Sequence, residues 1–527
     1  MNAVIALTGL AVLLRLLGAL LRPVWVDEAA TAIFTAGNSS WSTPINTLVP
    51  LDSFVTALRL DQQTPLLEAL AHLRLEDNHP PLYFALSALV ARLMQPHGAV
   101  LDPLVARLPA VVLGSLAVPL LHQAVATATG SRRAAHLAAA WIAVSPLAVA
   151  MGLEARHYAV ATTLVCGALW GLATGSRRPL PAWAAVAWGA VNLLGVISHH
   201  LFVVVIAAEV ATIIGLQGLH WRRLMPLLIA LCVSGLWLIS QGQGGAAQQT
   251  NWLNLDPQQP LQWLAIPLQM LLTALCGFLA PGTSLSAAWQ WPVLVLAGLA
   301  TLIGLIALVR LLNQAGQPEP LLLLFTLCSA ASLLAVCVLS GKDLTRALRY
   351  GFVYLPGVVA LVAAAADQAI ARRGPAATAA LLCCSLLCSV GVASGVALPA
   401  SYNPELLINK VAAESNQPVV LAFNEQPVLS GKPLIGYEAL SIAWHLHRPD
   451  RRVLERAGIE PRLLLLVRND HTAPSGLKQL AELKGPFDLW LVDAHGTQSL
   501  DLPHIDCRHL SYASAGGHLH HHYRCNG

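Results

Sequence analysis

The residues able to do chemistry in this 527-residue chain are few and stand in short, separated groups. Asp27 and Glu28 follow Trp25-Val26 directly after the first long apolar run. Two adjacent carboxylates can supply a general base and an orienting or metal-holding group. Acids also favour the first turn of any helix, which is the plainer reading. Asn78-His79-Pro80-Pro81 sets a histidine just before a helix start, because proline is favoured at the first helical position. Arg107-Leu108-Pro109 opens an apolar helix, and Glu154-Ala155-Arg156-His157-Tyr158 packs an acid, a guanidinium, an imidazole and a phenol between two apolar runs. Such groups are costly at a membrane border unless paired, and an Arg156–Glu154 ion pair that only fixes the hairpin is the simpler account. His199-His200 closes the next hairpin. A basic stretch from Lys342 to Arg349-Tyr350 then runs straight into an apolar helix. Guanidinium forks suit phosphate oxygens. Arg15 lies inside the first apolar run, about 18 Å of helix before Asp27; such a residue is either functional or snorkels to the interface.

The elements that must position these groups follow from composition. Only 11% of residues are charged and 56% are apolar, against about 25% charged in ordinary soluble chains. A soluble surface cannot be made from so few charges. Residues 1–400 hold 33 of the 58 charged residues and 401–527 hold 25, so the first part reads as membrane domain and the second as a soluble domain. A net charge of +4 without a basic stripe gives no case for nucleic acid.

Apolar runs near 3–21, 104–127, 135–152, 157–173, 181–198, 201–217, 224–240, 291–312, 321–340, 351–371 and 375–398 are long enough to span a bilayer, and 81–95 and 264–281 are shorter or interrupted. That predicts an α-helical polytopic membrane protein with about 11–13 transmembrane helices. Arginine doublets at 132–133, 177–178, 222–223 and 372–373 mark cytoplasmic turns, while seven of the fourteen acids in residues 1–400 lie between 22 and 80. The segment 22–80 is then a first external loop, provided that 81–95 lies along the outer surface. The first run lacks a basic leader and reads as a retained anchor. The layout predicts a multi-pass plasma (inner) membrane protein with an extracytoplasmic C-terminal α/β domain.

In that domain Pro418–Phe423, Leu463–Val467 and Leu489–Val492 read as strands, and Tyr437–Leu446 and Leu477–Leu483 as amphipathic helices. Cys507 and Cys525 can pair in an oxidising compartment. The tract His518, His520, His521 and His522 reads as an exposed strand or tail, and no zinc site is expected.

Taken in order, Asp27-Glu28, His79-Pro80-Pro81-Leu82, Arg107-Leu108-Pro109, Glu154-Ala155-Arg156-His157-Tyr158 and Arg349-Tyr350 resemble the GT-C membrane glycosyltransferases. The branch most alike contains the protein O-mannosyltransferases and the lipid A aminoarabinose transferase. The resemblance covers residues 1–400, the catalytic domain it implies, and does not extend to 401–527. It implies transfer of a sugar from a polyprenyl-phosphate donor to a lipid, glycan or protein acceptor on the extracytoplasmic face, with inversion. On the matching positions it makes Asp27 the base and Glu28 its orienting partner. His79, Glu154, Tyr158 and Tyr350 become substrate contacts, and Arg107, Arg156 and Arg349 neutralise the departing phosphate; His199, at the end of a hairpin on the same face, is a further candidate substrate contact. Leu153 departs from the polar residue common there, and no Asp-x-Asp element stands out, which leaves a divalent metal open and implies no other cofactor. A lipid-linked sugar carrier or flippase without bond chemistry is the alternative; against it, there is no inverted repeat and the polar groups do not lie at mid-membrane.

Overall fold

The computed structural model describes residues 2–77, 79–240, 251–256, 258–259, 261–280, 288–398, 402–425, 436–448, 453–467, 476–493 and 506–526; Asn78 lies outside them. The chain forms two compact units. The first comprises Met1–Arg22, His79–Tyr83 and Arg107–Pro399, the second Pro23–Asn78, Phe84–Ala106 and Ala400–Gly527.

Among the described residues, eight helices are long and apolar enough to cross a membrane, and nine if Arg132–Ala143 and Pro146–Gly152, bent by 53°, make one span. The shorter apolar helices Ala182–Ser198 and Phe202–Gln217 bring the set to eleven; Leu82–Met94 and Leu261–Leu275 bring it to thirteen. The chain is a multi-pass membrane protein. At 13 residues, Leu82–Met94 is about 20 Å long, short of the roughly 30 Å hydrocarbon core.

The helices are built for lipid. Helix Trp291–Gln314 buries Ala297, Ala300, Gly304, Ala307 and Leu311, alternating steps of three and four, against helix Ala376–Ala393. Leu299, Leu302 and Ile306 stay exposed. Small residues inside and large apolar ones outside are the pattern of helices that associate by close packing within hydrocarbon. The bend at 144–145 has a local cause: the Ser145 side chain accepts from the Ala148 N–H and restarts the helix, and Pro146 follows at its first position. Arg15 does not snorkel. It is 1% exposed, its Nη1 donates to Ala11 O at 3.1 Å, and a Cβ on Gly152 would stand 2.3 Å from its Nε. Only glycine leaves that space.

The second unit is organised on a six-stranded mixed sheet of order β1-β3-β2-β4-β6-β5, with β1 Val49–Pro50, β2 Val419–Glu425, β3 Arg462–Val467, β4 Pro486–Asp493, β5 Asp506–Ala515 and β6 His518–Asn526. Parallel β2 lies between β3 and β4, and its continuous apolar run fits a strand covered on both faces. Three strands fall where the sequence predicts them. The two-residue edge strand from the first loop and the β5–β6 hairpin do not follow from apolar patterning. Gly516 and Gly517, at φ +59° and +86°, form the tight turn of that hairpin.

The histidine tract is a strand, but not an exposed one. Held between β4 and β5, it buries His518, His520, His521 and His522. Trp490 stacks on His522 with ring centroids 4.1 Å apart, and burial pushes the His520 and His522 imidazoles below the ordinary histidine range. Neutral, they pack as aromatic rings.

Cys507 and Cys525 face each other across β5 and β6 and are joined as a disulfide spanning 18 positions. By chain entropy such a loop contributes about 3 kcal/mol. Replacing both with serine is expected to lower the unfolding free energy of the full-length protein by about 2–4 kcal/mol, read by denaturant titration of the second unit's tryptophan fluorescence.

Candidate functional site

In the first unit, four separate stretches of chain bring polar side chains together. His79 precedes helix Leu82–Met94, the turn after Pro146–Gly152 supplies Arg156, His157 and Tyr158, the turn after Ala182–Ser198 supplies His199, and the 3-10 segment Leu348–Val353 supplies Arg349 and Tyr350. All lie at helix ends or in turns, where backbone groups left over by the helices already need polar company.

Arg156 Nη2 lies 3.1 Å from His79 Nε2, and Arg349 Nε donates to Tyr158 Oη at 3.1 Å. Both guanidiniums sit over the Tyr158 ring, 5.9 Å and 5.4 Å from its centre, at a cation–π range. His157 and His199 are 4.8 Å apart by ring centres, and His199 and Tyr350 5.6 Å. Phe352 closes the apolar side of His199 at 4.8 Å. The Leu201 N–H donates to His199 Nδ1 at 3.1 Å, which leaves Nε2 as the N–H of the neutral ring.

Three imidazoles of the cluster, those of His157, His199 and His200, are held neutral. Burial pushes His157 and His199 well below the ordinary histidine range; next come His199 on His157 and His200 on His199, with Arg156, Arg349 and His79 adding to both. His200 is pushed down to about 4, by burial first and His79 second. Arg156 and Arg349 therefore bring positive charge to this cluster, while the neutral His157 and His199 rings offer hydrogen bonds. Two fixed guanidiniums with neutral donors and phenols around them suit an anion with several oxygens, above all a phosphate.

His79, Arg156, Tyr158, His199, Arg349 and Tyr350 are thus gathered. Glu154 borders the turn, its carbonyl accepting the Arg156 N–H at 2.7 Å. Arg107 is engaged at the end of the first helix, where its Nη1 donates to Ala19 O at 2.6 Å and Arg22 O at 3.0 Å. His157 carries no role in the sequence reading although it stands between Arg156 and Tyr158. That adjacency was the available signal.

Asp27 and Glu28 belong to the second unit, in the first turn of helix Val26–Thr35. Glu28 is buried, and its Oε2 accepts the Trp25 N–H at 3.3 Å, capping the helix start. Asp27 is half-buried, and its carbonyl accepts from Thr31 Oγ1 at 3.1 Å. Glu28 so fixes the helix turn that carries Asp27. Among the described residues no three His, Cys, Asp or Glu side chains are grouped to hold a metal ion.

No family model matches the sequence, and no curated protein matches it. Among solved structures the chain is similar to ArnT from Cupriavidus metallidurans in the apo state, at 13% identity and a TM-score of 0.48, over 98% of this chain and 97% of that one. The same protein bound to undecaprenyl phosphate gives 12% and 0.46 over the same shares. The apo oligosaccharyltransferase of Archaeoglobus fulgidus gives 12% and 0.41, over 79% of this chain and 62% of that one.

The neutral histidines make stability depend on pH. Their folded pKa values lie below the unfolded value of about 6.5, so the folded state resists protons that the unfolded chain takes up. Stability is complete above that value and falls as the pH drops through the window to about 4, the His200 value. The melting temperature of the detergent-solubilised protein is expected to fall steadily from pH 7 to 4.5. A His199→Gln, His200→Gln double variant should show a visibly shallower fall.

Proposed function

We propose that this protein is a GT-C-type glycosyltransferase that moves a sugar from a polyprenyl-phosphate donor to an acceptor on the extracytoplasmic face of the membrane. The observation that carries this reading is the pair Arg156 and Arg349 set on the Tyr158 ring amid neutral histidines, in a chain of apolar helices. It is a phosphate-binding chemistry in a protein that lives in lipid. The order of the sequence motifs, from Asp27 to Arg349-Tyr350, supports it independently.

In the proposed reaction the acceptor's hydroxyl or amine attacks the anomeric carbon, and Asp27 takes its proton. The bond from that carbon to the phosphate oxygen breaks, and polyprenyl phosphate leaves with the electron pair. Charge grows on the leaving phosphate in the transition state, so fixed cations aimed at it act most strongly there. Arg156 and Arg349 fill that role, with the Tyr158 and Tyr350 hydroxyls, His79 and the neutral His199 ring as hydrogen-bonding groups beside them. Attack opposite the leaving group inverts the sugar. Residues 1–400 form the catalytic domain in this reading, with 22–80 as the external loop that carries the base and 401–527 as an extracytoplasmic α/β domain. The membrane is the plasma membrane.

Purified protein supplied with polyprenyl-phosphate sugars should release sugar from the carrier, and Asp27→Asn should lower turnover by about 10²- to 10⁴-fold, the usual contribution of a general base. An Asp27→Asn protein with full turnover overturns the assigned base. Transbilayer movement of intact donor without release favours the carrier reading instead. Arg349→Ala is expected to raise the donor KM about tenfold or more and to lower turnover, as the loss of a charge-assisted hydrogen bond worth about 1.5–3 kcal/mol implies. An unchanged donor response removes Arg349 from the phosphate site.

A further inference from the structure

The second unit holds a cluster of ionisable groups that the reaction above does not use. His518 opens β6, is fully buried, and presents Nδ1 2.5 Å from Glu438 Oε1. Glu438 stands in the first turn of helix Tyr437–His447. That helix packs against helix Val26–Thr35, whose first turn carries Asp27. Tyr402 completes the group, with its ring centre 5.4 Å from that of His518. The chain at Tyr402 is held close by the next residue: the Asn403 N–H donates to Gly516 O at 2.7 Å. A Cβ on Gly516 would stand 2.3 Å from Asn403 O, so the hairpin turn must be glycine for this approach.

Two acids stand in the first turns of two packed helices, where each is favoured by the helix it begins. A buried imidazole with one nitrogen on a carboxylate answers this arrangement, because it holds the carboxylate in one orientation and the ring in one tautomer. His518 Nε2 is buried without a hydrogen-bond partner among the described residues, so its bond to Glu438 is what places the ring. The Tyr402 phenol registers both acids. Its pKa is raised by burial first, then by the negative charge of Glu438 and of Asp27.

We infer that Glu438, clamped by His518 and neighboured by Tyr402, is a positioning residue for Asp27, through which the C-terminal segment takes part in setting the first-loop acid. The inference rests on the reading of Asp27 as the base. It gives the C-terminal part of the chain a role in the acceptor half of the reaction, beyond covering it.

Two measurements on the full-length protein in detergent test it. The first is a spectrophotometric titration of tyrosinate, with Tyr402→Phe as the reference that isolates this phenol. Tyr402 should ionise at lower pH in both Glu438→Gln and Asp27→Asn, while Glu438→Asp keeps the wild-type value. A Tyr402 titration that neither substitution moves overturns the inference, whatever the protein's activity. The second is sugar transfer. Glu438→Gln and His518→Gln should lower turnover about tenfold with the donor KM within about twofold, the scale of one coupled polar contact, and Glu438→Asp should restore most of it. Unaltered turnover in variants with a wild-type elution profile overturns the inference. A wild-type protein that transfers no sugar from any polyprenyl-phosphate donor defeats the proposed function, and the tyrosinate titration then decides the Glu438–Asp27 coupling alone.

Discussion

The first unit depends on the contact between Arg349 and Tyr158. One hydrogen bond and one ring face join residues 191 positions apart, and Tyr158 receives Arg156 on the same ring. Two cations held this firmly at helix ends determine the chemistry of everything beside them. The histidines between them cannot also carry charge, because burial and both guanidiniums act against it. A cluster that could have been a diffuse basic patch becomes two fixed positive charges in a setting of neutral hydrogen-bond donors. Pre-set polarity of this kind stabilises a developing anion without the reorganisation that water would need.

The same use of histidine recurs in the second unit, where burial is again the first cause and the charges of Lys410 and Arg524 add to it. His520 and His522 lie in a central strand, below the ordinary histidine range because burial disfavours their charge. Trp490 takes the His522 ring face to face. A strand of nominally polar residues thereby fills a place between β4 and β5 that an apolar strand would ordinarily take. The disulfide to β5 then fixes its far end.

This explains what could and could not be read from the sequence. Spans were legible because lipid demands length and apolarity, and both are counted directly. The strands Val419–Glu425, Arg462–Val467 and Pro486–Asp493 were legible because covered strands are apolar runs. The β5–β6 hairpin escaped because imidazole is scored as polar, although Gly516-Gly517 is a hairpin signal in its own right. The two-residue strand Val49–Pro50 is too short for any periodicity. Arg156, Tyr158, His199, Arg349 and Tyr350 were singled out by residue type, since each is expensive at a helix end in a membrane unless it has company, and the fold brings them together. His157 was passed over because one residue in a polar pentapeptide is not distinguished from the next without its packing. Glu438, His518 and Tyr402 are separated by up to 116 positions, and no spacing rule connects them.

Arg107 shows how the fold decides among residues that look alike in sequence. It follows Ala106, where the chain passes between the two units, and its guanidinium donates to the carbonyls of Ala19 and Arg22. Arg22 is itself the last residue of the first stretch of the first unit, and its Nη2 donates to Leu398 O at 3.0 Å, next to the end of the last stretch. Three junctions of the chain are therefore pinned to one another by two arginines. The Ala19 and Arg22 carbonyls lie at the end of the first helix, which leaves carbonyls without intrahelical partners and favours cations. A guanidinium that the resemblance makes a phosphate contact also clasps the backbone at the end of the first helix. These arginines divide by what their surroundings give them to bind: backbone carbonyls for Arg22 and Arg107, the Tyr158 phenol for Arg349.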